Sequence, residues 1–169
     1  MKTETVVLSL GSNIGSREQH LLEAALRLDQ TGGICVKRLS SLFETEPLGI
    51  KTSRQFINAC CVIETTLEPG ELLGICKDLE RRAGREWGEV DRQLDIDIVL
   101  FGEREVTEPD LVIPHPRFRD RRFVIEPLAE IMPDLGLPPD DRRVREIASV
   151  SGCRGFVRRV SSRALAEEA

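Results

Sequence analysis

Apolar and polar positions along the first hundred residues change period four times, and each change marks an element. Residues 5–10 (Thr-Val-Val-Leu-Ser-Leu) form a β-rich run that ends at Gly11-Ser12-Asn13-Ile14-Gly15, which predicts a strand and its turn. Ser16 followed by Gln19 has the spacing of a capping box, and Leu21, Leu22, Ala25, Leu26 and Leu28 share one side of the helix it opens. Gly32-Gly33 stops that helix. A second strand is expected within residues 34–44, followed by a loop containing Glu46-Pro47-Leu48-Gly49. Residues 55–66 alternate again, with Ile57, Ala59, Cys61 and Ile63 on one face and Phe56, Asn58, Cys60 and Val62 on the other. Pro69 suits the first turn of a second helix, whose stripe is Leu72, Ile75, Cys76, Leu79 and Ala83 and whose end is Gly84. A fourth strand follows at residues 94–101, Leu-Asp-Ile-Asp-Ile-Val-Leu-Phe.

The order βαββαβ predicts an α+β fold on the ferredoxin-like plan, an antiparallel sheet with helices on one face. Beyond residue 110 the chain is rich in proline and charge, and short helices are expected near 120–131 and 141–150. At 169 residues and 19.0 kDa the length suits one domain, read here as residues 1–160 with a frayed tail at 161–169. No repeat or linker interrupts it.

Two carboxylates occupy the fourth strand where apolar residues belong. Side chains alternate on a strand, so Asp95 and Asp97 share a face while Ile96 and Ile98 fill the other. Their Cα atoms then lie roughly 7 Å apart. Two like charges so close are costly unless neutralised. A divalent cation, or a pair of cations holding a polyphosphate, meets that cost; so does an edge strand with both aspartates in water.

Charge changes the picture. The net charge of −5 argues against general binding to nucleic acid or an anionic membrane. No apolar run reaches membrane-spanning length, and no signal-peptide core follows Met1. Five cysteines without C-x-x-C spacing suit small core residues in a reducing cytoplasm. Arginines cluster around the acidic strand: Arg81, Arg82, Arg85 and Arg92 before it, Arg117, Arg119, Arg121 and Arg122 after it. The planar guanidinium fork suits phosphate oxygens, so the balance points to a small polyanion with its metal.

Smaller motifs carry alternatives of their own. No P-loop or dinucleotide glycine pattern is present. Gly11-Ser12-Asn13-Ile14-Gly15 suits backbone approach to a ligand, and equally a plain strand-to-helix turn. Pro114-His115-Pro116 holds an imidazole on a stiff backbone, next to four arginines. Phe56 beside Asn58 offers an aromatic plate and an amide, as a flat heterocycle requires, although a lone Phe is usually core. Trp87 fits either a loop that closes over a site or a hydrophobic plug. Arg154-Gly155-Phe156-Val157 begins like an RNA-recognition signature but departs from it at once, so a nucleic-acid module is set aside.

The ordered set Leu8-Ser9-Leu10-Gly11-Ser12-Asn13, Thr45-Glu46-Pro47-Leu48-Gly49, Phe56-Ile57-Asn58-Ala59, Trp87-Gly88, Arg92-Gln93-Leu94-Asp95-Ile96-Asp97-Ile98 and Pro114-His115-Pro116, completed by Arg121 and Phe123, resembles the 6-hydroxymethyl-7,8-dihydropterin pyrophosphokinase family of folate synthesis. The resemblance implies that Asp95 and Asp97 hold two Mg²⁺ ions binding the ATP polyphosphate. It implies that Gly11, Asn58 and the stretch Thr45, Pro47 and Leu48 meet the pterin, with Phe56 and Phe123 sandwiching its ring. It implies ATP contacts from Lys77, Glu80, Ile98, His115 and Arg121, and catalytic roles for Arg85 and Arg92. The substrates implied are ATP and the hydroxymethylpterin, with no nucleic acid and no membrane. The oligomeric state is left open, a monomer being favoured, and the location expected is cytoplasmic.

Two departures from the family pattern stand out. The loop from Gly84-Arg85 to Trp87 is shortened and lacks basic residues, and Trp87-Gly88-Glu89-Val90-Asp91-Arg92 replaces a shorter W-G-P-R run. Both changes lead to the expectation of a loop that closes less completely, and to an alternative: a family member that binds pterin or nucleotide without efficient turnover.

Overall fold

The computed structural model describes residues 2–150 and 157–161. Its first half runs β1 (Glu4–Ser12), α1 (Arg17–Asp29), β2 (Ile34–Leu39), β3 (Leu42–Thr45), β4 (Phe56–Thr65), α2 (Pro69–Arg82) and β5 (Asp95–Phe101). This is βαββαβ with the second strand broken in two. The break is at Ser40-Ser41, both buried. Ser40 Oγ accepts the Cys60 N–H at 2.9 Å, and the Ser41 N–H turns to Glu130 Oε1 at 2.6 Å. Consequently β2 pairs with the Thr65 end of β4 and β3 with its Phe56 end.

The second half adds a hairpin, β6 (Val106–Glu108) with β7 (Leu111–Ile113), then α3 (Arg122–Ile131), the short pair β8 (Gly136–Leu137) and β9 (Arg142–Arg143), α4 (Val144–Ala148) and β10 (Val157–Ser161). The main sheet is antiparallel in the order β10-β3-β4-β1-β5, with β2 also on β4. Helices α3 and α4 lie within the two stretches expected to be helical. β10 continues the sheet beyond β3, a strand not anticipated from the sequence. Ser161 closes β10, and residues 162–169, with Cys153 and Arg154-Gly155-Phe156, lie outside the described residues.

The two core helices, α1 and α2, share one face of the sheet as expected, and the added helices α3 and α4 cover the other. Leu21, Ala24, Ala25 and Leu28 of α1 and Leu72, Cys76 and Leu79 of α2 pack on Val6, Leu8, Leu10, Ile57, Ala59, Cys61, Ile63, Ile96 and Ile98. Val124, Ile125, Leu128 and Ile131 of α3, with Val144 and Ile147 of α4, pack on Val7, Cys60, Val62, Val99 and Leu100. A strand with apolar residues on both faces needs two covers, and β4 is such a strand. A bulge between Val7 and Leu8 of β1 shifts the register opposite Val99, so Phe101 joins the α1–α2 side while Asp95 and Asp97 stay on the α3 side.

Local details also differ. Ser16 precedes α1 but makes no side-chain cap, and Gln19 instead donates to Glu23 at 2.8 Å. The capping box sits on α2, where the Glu68 N–H donates to Glu71 at 2.8 Å. Leu26, placed in the α1 stripe, is exposed; Cys35 is exposed as well, whereas Cys60, Cys61 and Cys76 are buried. Burial pushes all three buried thiols up, which removes them as nucleophiles.

Candidate active site

Three strands align the site in two rows. Gly11 of β1 stands opposite Asn58 of β4 on one side and Asp95 of β5 on the other; one step along, Ser9 stands between Cys60 and Asp97. With strands about 4.8 Å apart, Asn58 and Asp95 are separated by roughly 10 Å with only a glycine between them. Glycine is required there. A Cβ on Gly11 would meet Asn58 Oδ1 at 2.7 Å and the Phe56 ring at 3.5 Å. Asn58 is buried and donates through Nδ2 to Thr45 Oγ1 at 2.6 Å, which fixes its amide and leaves Oδ1 aimed across Gly11.

Asp95 is held by two arginines. Arg85 reaches Oδ1 at 2.8 Å and Arg92 reaches Oδ2 at 3.0 Å. Arg85 also pairs at 2.9 Å with Glu80, whose other oxygen accepts the Ile96 N–H at 2.8 Å. Burial pushes the Glu80 carboxyl above its ordinary range, against the opposing pull of the Ile96 bond and Arg85. Among the described residues, the Nε atoms of both Arg85 and Arg92 are buried with no acceptor. Asp97 contrasts with its neighbour: it accepts no hydrogen bond among the described residues. Burial, then the charges of Asp95 and Glu80, push its carboxyl up to about 7.

The loop after α2 wraps back on these arginines. Trp87 is exposed on its outer side, with Arg85 4.3 Å and Lys77 4.8 Å from its ring centroid. Its place is therefore outside the ion pairs, as a cover on Arg85. On the far side, the His115 N–H donates to Val99 O at 3.0 Å, and burial followed by the Arg121 charge holds its imidazole below the ordinary histidine range. Arg121 caps the start of α3, 5.5 Å from the Phe123 ring.

These groups surround a half-open cavity lined by Thr45, Glu46, Leu48, Ile50, Phe56, Asn58, Arg92, Asp95, Asp97, Arg121 and Phe123. Thr45, Leu48, Phe56, Asn58, Arg92, Asp95, Asp97, Arg121 and Phe123 were all expected at the site; Glu46 and Ile50 were not singled out. Gly11 floors the row, Arg85 backs Asp95, and Pro47 is half-buried in the adjoining loop. Glu80 is buried behind Arg85, Lys77 lies over Trp87, and Ile98 is in the α1–α2 core, on the opposite face from Asp97. None of these three lies on the cavity wall. His115 stands near the wall on the Val99 side.

Asn13, Asp91, Thr52 and Arg54 were also overlooked. Asn13 is buried, accepts the Arg92 N–H at 2.6 Å and donates to Asp91 at 2.9 Å. Asp91 in turn accepts from Thr52 at 2.8 Å and pairs with Arg54 at 3.2 Å. A buried asparagine just after a strand was the available signal for the first; the others are linked only through long-range pairing.

A cleft lined by Phe56 and Phe123 with an amide at one end, beside paired carboxylates and arginines at the other, defines a small-molecule phosphotransferase on a ferredoxin-like sheet. The model of the 7,8-dihydro-6-hydroxymethylpterin-pyrophosphokinase (HPPK) family matches residues 7–133, and the chain belongs to that family. It is 38% identical over 159 residues to the 2-amino-4-hydroxy-6-hydroxymethyldihydropteridine pyrophosphokinase of Bacillus subtilis (strain 168), covering 89% of this chain and 94% of the relative. The protein of the same name from Methylorubrum extorquens is 41% identical over 132 residues, 76% of this chain and 82% of the relative. Among solved structures, the Plasmodium falciparum HPPK-DHPS wild type with pteroate superposes with a TM-score of 0.70 at 17% identity, over 87% of this chain and 42% of that one. This chain thus spans less than half of that protein, and the likeness at that identity establishes the fold alone.

Proposed function

We propose that the protein transfers the pyrophosphoryl group of ATP to the hydroxymethyl oxygen of 6-hydroxymethyl-7,8-dihydropterin, giving the pterin diphosphate and AMP in folate synthesis. One observation carries the phosphate half of this reading: among the described residues, the Nε donors of Arg85 and Arg92 are buried without acceptors, beside a carboxyl that accepts no hydrogen bond. A site built this way is short of an anionic, acceptor-rich ligand and of a cation.

The donor set fits Mg²⁺. Among the described residues no three acidic, histidine or cysteine side chains gather into a cage. Mg²⁺ is usually held by one or two carboxylates, its other ligands coming from water and substrate phosphates, and Asp95 with Asp97 supplies that pair. Two ions are expected, and when bound they would neutralise the polyphosphate and polarise the phosphoryl oxygens.

The side chains divide the remaining work. Phe56 and Phe123 bound the ring, and Asn58, locked by Thr45, presents its carbonyl oxygen to the ring edge. Arg92 and Arg121 face the cavity where charge moves from the β-phosphorus to the departing AMP oxygen. Arg85 holds Asp95 from behind. The pterin oxygen forms a bond to the β-phosphorus as the α–β bridge breaks, so positioning and charge stabilisation supply most of the rate. The shortened loop still brings Arg85 and Arg92 to Asp95, and no feature of the site favours a member without turnover. The buried free thiols suit the cytoplasm.

The test is AMP release from ATP and Mg²⁺, with and without the pterin, for the wild type and Asp97→Ala. Pterin-dependent AMP formation that disappears in the variant is expected. No pterin-dependent AMP from the folded wild type would overturn the reading.

A further inference from the structure

The carboxylate of Asp91 is the meeting point of three chain segments. It accepts Asn13 Nδ2 at 2.9 Å from the β1–α1 turn and Thr52 Oγ1 at 2.8 Å from the β3–β4 loop, both on Oδ1. Arg54 of that same β3–β4 loop pairs with Oδ2 at 3.2 Å. The next residue is Arg92, which is clasped through its backbone: its N–H donates to Asn13 Oδ1 at 2.6 Å and its carbonyl accepts the Asn13 N–H at 3.0 Å. The β3–β4 loop contributes Glu46, Leu48 and Ile50 to the cavity wall, and Arg92 contributes its guanidinium.

Resting on the proposed function, we propose that Asp91 is a positioning residue that joins the wall of the ring cavity to the arginine beside Asp95, so that the two halves of the site are set together. The segment Glu89-Val90-Asp91 lies in the acidic replacement of the W-G-P-R run. The hydroxyl and amide contacts carry the linkage. Arg54 is more than half exposed, and an ion pair so wet holds little.

Joining of the two loops is readable without turnover. Lys51 and Arg54 in one loop and Arg85 and Arg92 in the other are trypsin sites. In native wild type, cleavage at all four is expected to be slow. Asp91→Ala should speed cleavage about tenfold in both loops together, because opening is then local and no longer shared. Asp91→Asn keeps an acceptor for Thr52 and Asn13 and should restore most of the protection. Faster cleavage confined to residues 85 and 92, or no change, overturns the linkage. Because this arm uses the free protein, it stands even if the proposed reaction is absent.

The second arm asks whether the linkage serves the reaction. Asp91→Ala should lower kcat about tenfold and raise the pterin KM several-fold, a misplacement penalty of the kind that small displacements impose. In an Arg92→Ala background the same change should cost less than twofold in kcat, since the arginine it places is gone. Equal losses in both backgrounds would make Asp91 a general stabiliser and end its assignment as a positioning residue.

Discussion

On the α3 side of the sheet, one end is packed shut and the other is open. Val7, Cys60, Val62 and Val99 lie under Val124, Ile125 and Leu128. A few residues further along the same strands stand Ser9, Gly11, Asn58, Asp95 and Asp97, and there the wall is a cavity. The alternation of β1 and β4 is the same at both ends, and that of β5 changes only at the Val99 bulge. What differs is the cover: α3 begins at Arg122, so its helical face reaches the valines and stops short of the aspartates. Polar residues on a strand face are tolerable where the covering helix ends, and a reaction needing charged groups finds its place there. The comparison repeats within the open end: Asp95 pairs with Arg85 and Arg92, whereas Asp97 accepts no hydrogen bond among the described residues.

The largest effect should come from breaking that last distinction. Asp97→Ala is expected to lower kcat/KM on the order of 10³-fold, since the proposed reaction would lose a carboxylate that would hold its charge-neutralising cation. The same change should not unfold the protein. Asp97 keeps its proton up to about pH 7 in the fold, against an ordinary 3.8 in the unfolded chain. Its contribution to stability is therefore full below about pH 4 and lost as pH rises through 7. Asp97→Asn should then raise the melting temperature of the metal-free protein at pH 8 by a few degrees and leave it unchanged near pH 4. A variant that melts lower at pH 8 would show the carboxyl to be satisfied after all.

At the packed end the expected signature is reversed. Leu128→Ala removes a fully buried side chain of α3 and should cost about 3 kcal/mol of stability, read by denaturant titration. Turnover of the fraction that remains folded should be close to wild type. Loss of turnover larger than the loss of folded protein would mean that the two ends are not separable.

Two predictions of intermediate size sharpen the open end. Gly11→Ala drives a methyl against Asn58 Oδ1 at 2.7 Å and should raise the pterin KM about tenfold while ATP affinity changes little. The pH dependence should follow Asp97: a cation competes with its proton, so kcat/KM for ATP at fixed, subsaturating Mg²⁺ should fall about tenfold per unit below pH 7. Extra Mg²⁺ should recover the loss. A flat profile from pH 8 to 5.5 would remove Asp97 from the ligand set.

Much of this arrangement was legible in the residues. The βαββαβ order followed from alternation at 55–66 and from the stripe of α2, and the acidic strand announced itself because carboxylates do not belong among Ile96, Ile98 and Val99. The second apolar face of β4 was visible in Cys60 and Val62, but a single strand does not say what covers it. The bulge at Val99, the break at Ser40-Ser41 and the pairing of β10 with β3 depend on partners far along the chain, and no local pattern encodes them. The site residues that escaped notice share that property. Asp91 looks like a solvated charge in an acidic loop until Asn13 and Thr52 are brought to it from residues 78 and 39 positions away.

The smallest effect tests whether the open end extends to the edge of the sheet. Glu44 of β3 is held by Arg17 at 3.2 Å and by Arg158 of β10 at 2.8 Å, and the Arg158 bond is the main influence holding its carboxyl below the ordinary range. Arg17 also donates to the Gln55 carbonyl at 2.9 Å, so it ties Glu44 to the segment entering Phe56 without help from β10. Arg158 is more than half exposed. Arg158→Ala should therefore cost under about 1 kcal/mol. Because the Glu44 carboxyl is lowered in the fold, that small contribution should be present at neutral pH and vanish as the solution is acidified through the carboxylate range. Kinetic constants should stay within about twofold, since Arg17 keeps β3 in register beside Asn58. A larger rise in the pterin KM would show that β10, which lies beyond the residues matched by the family model, takes part in holding Thr45 against the ring cavity.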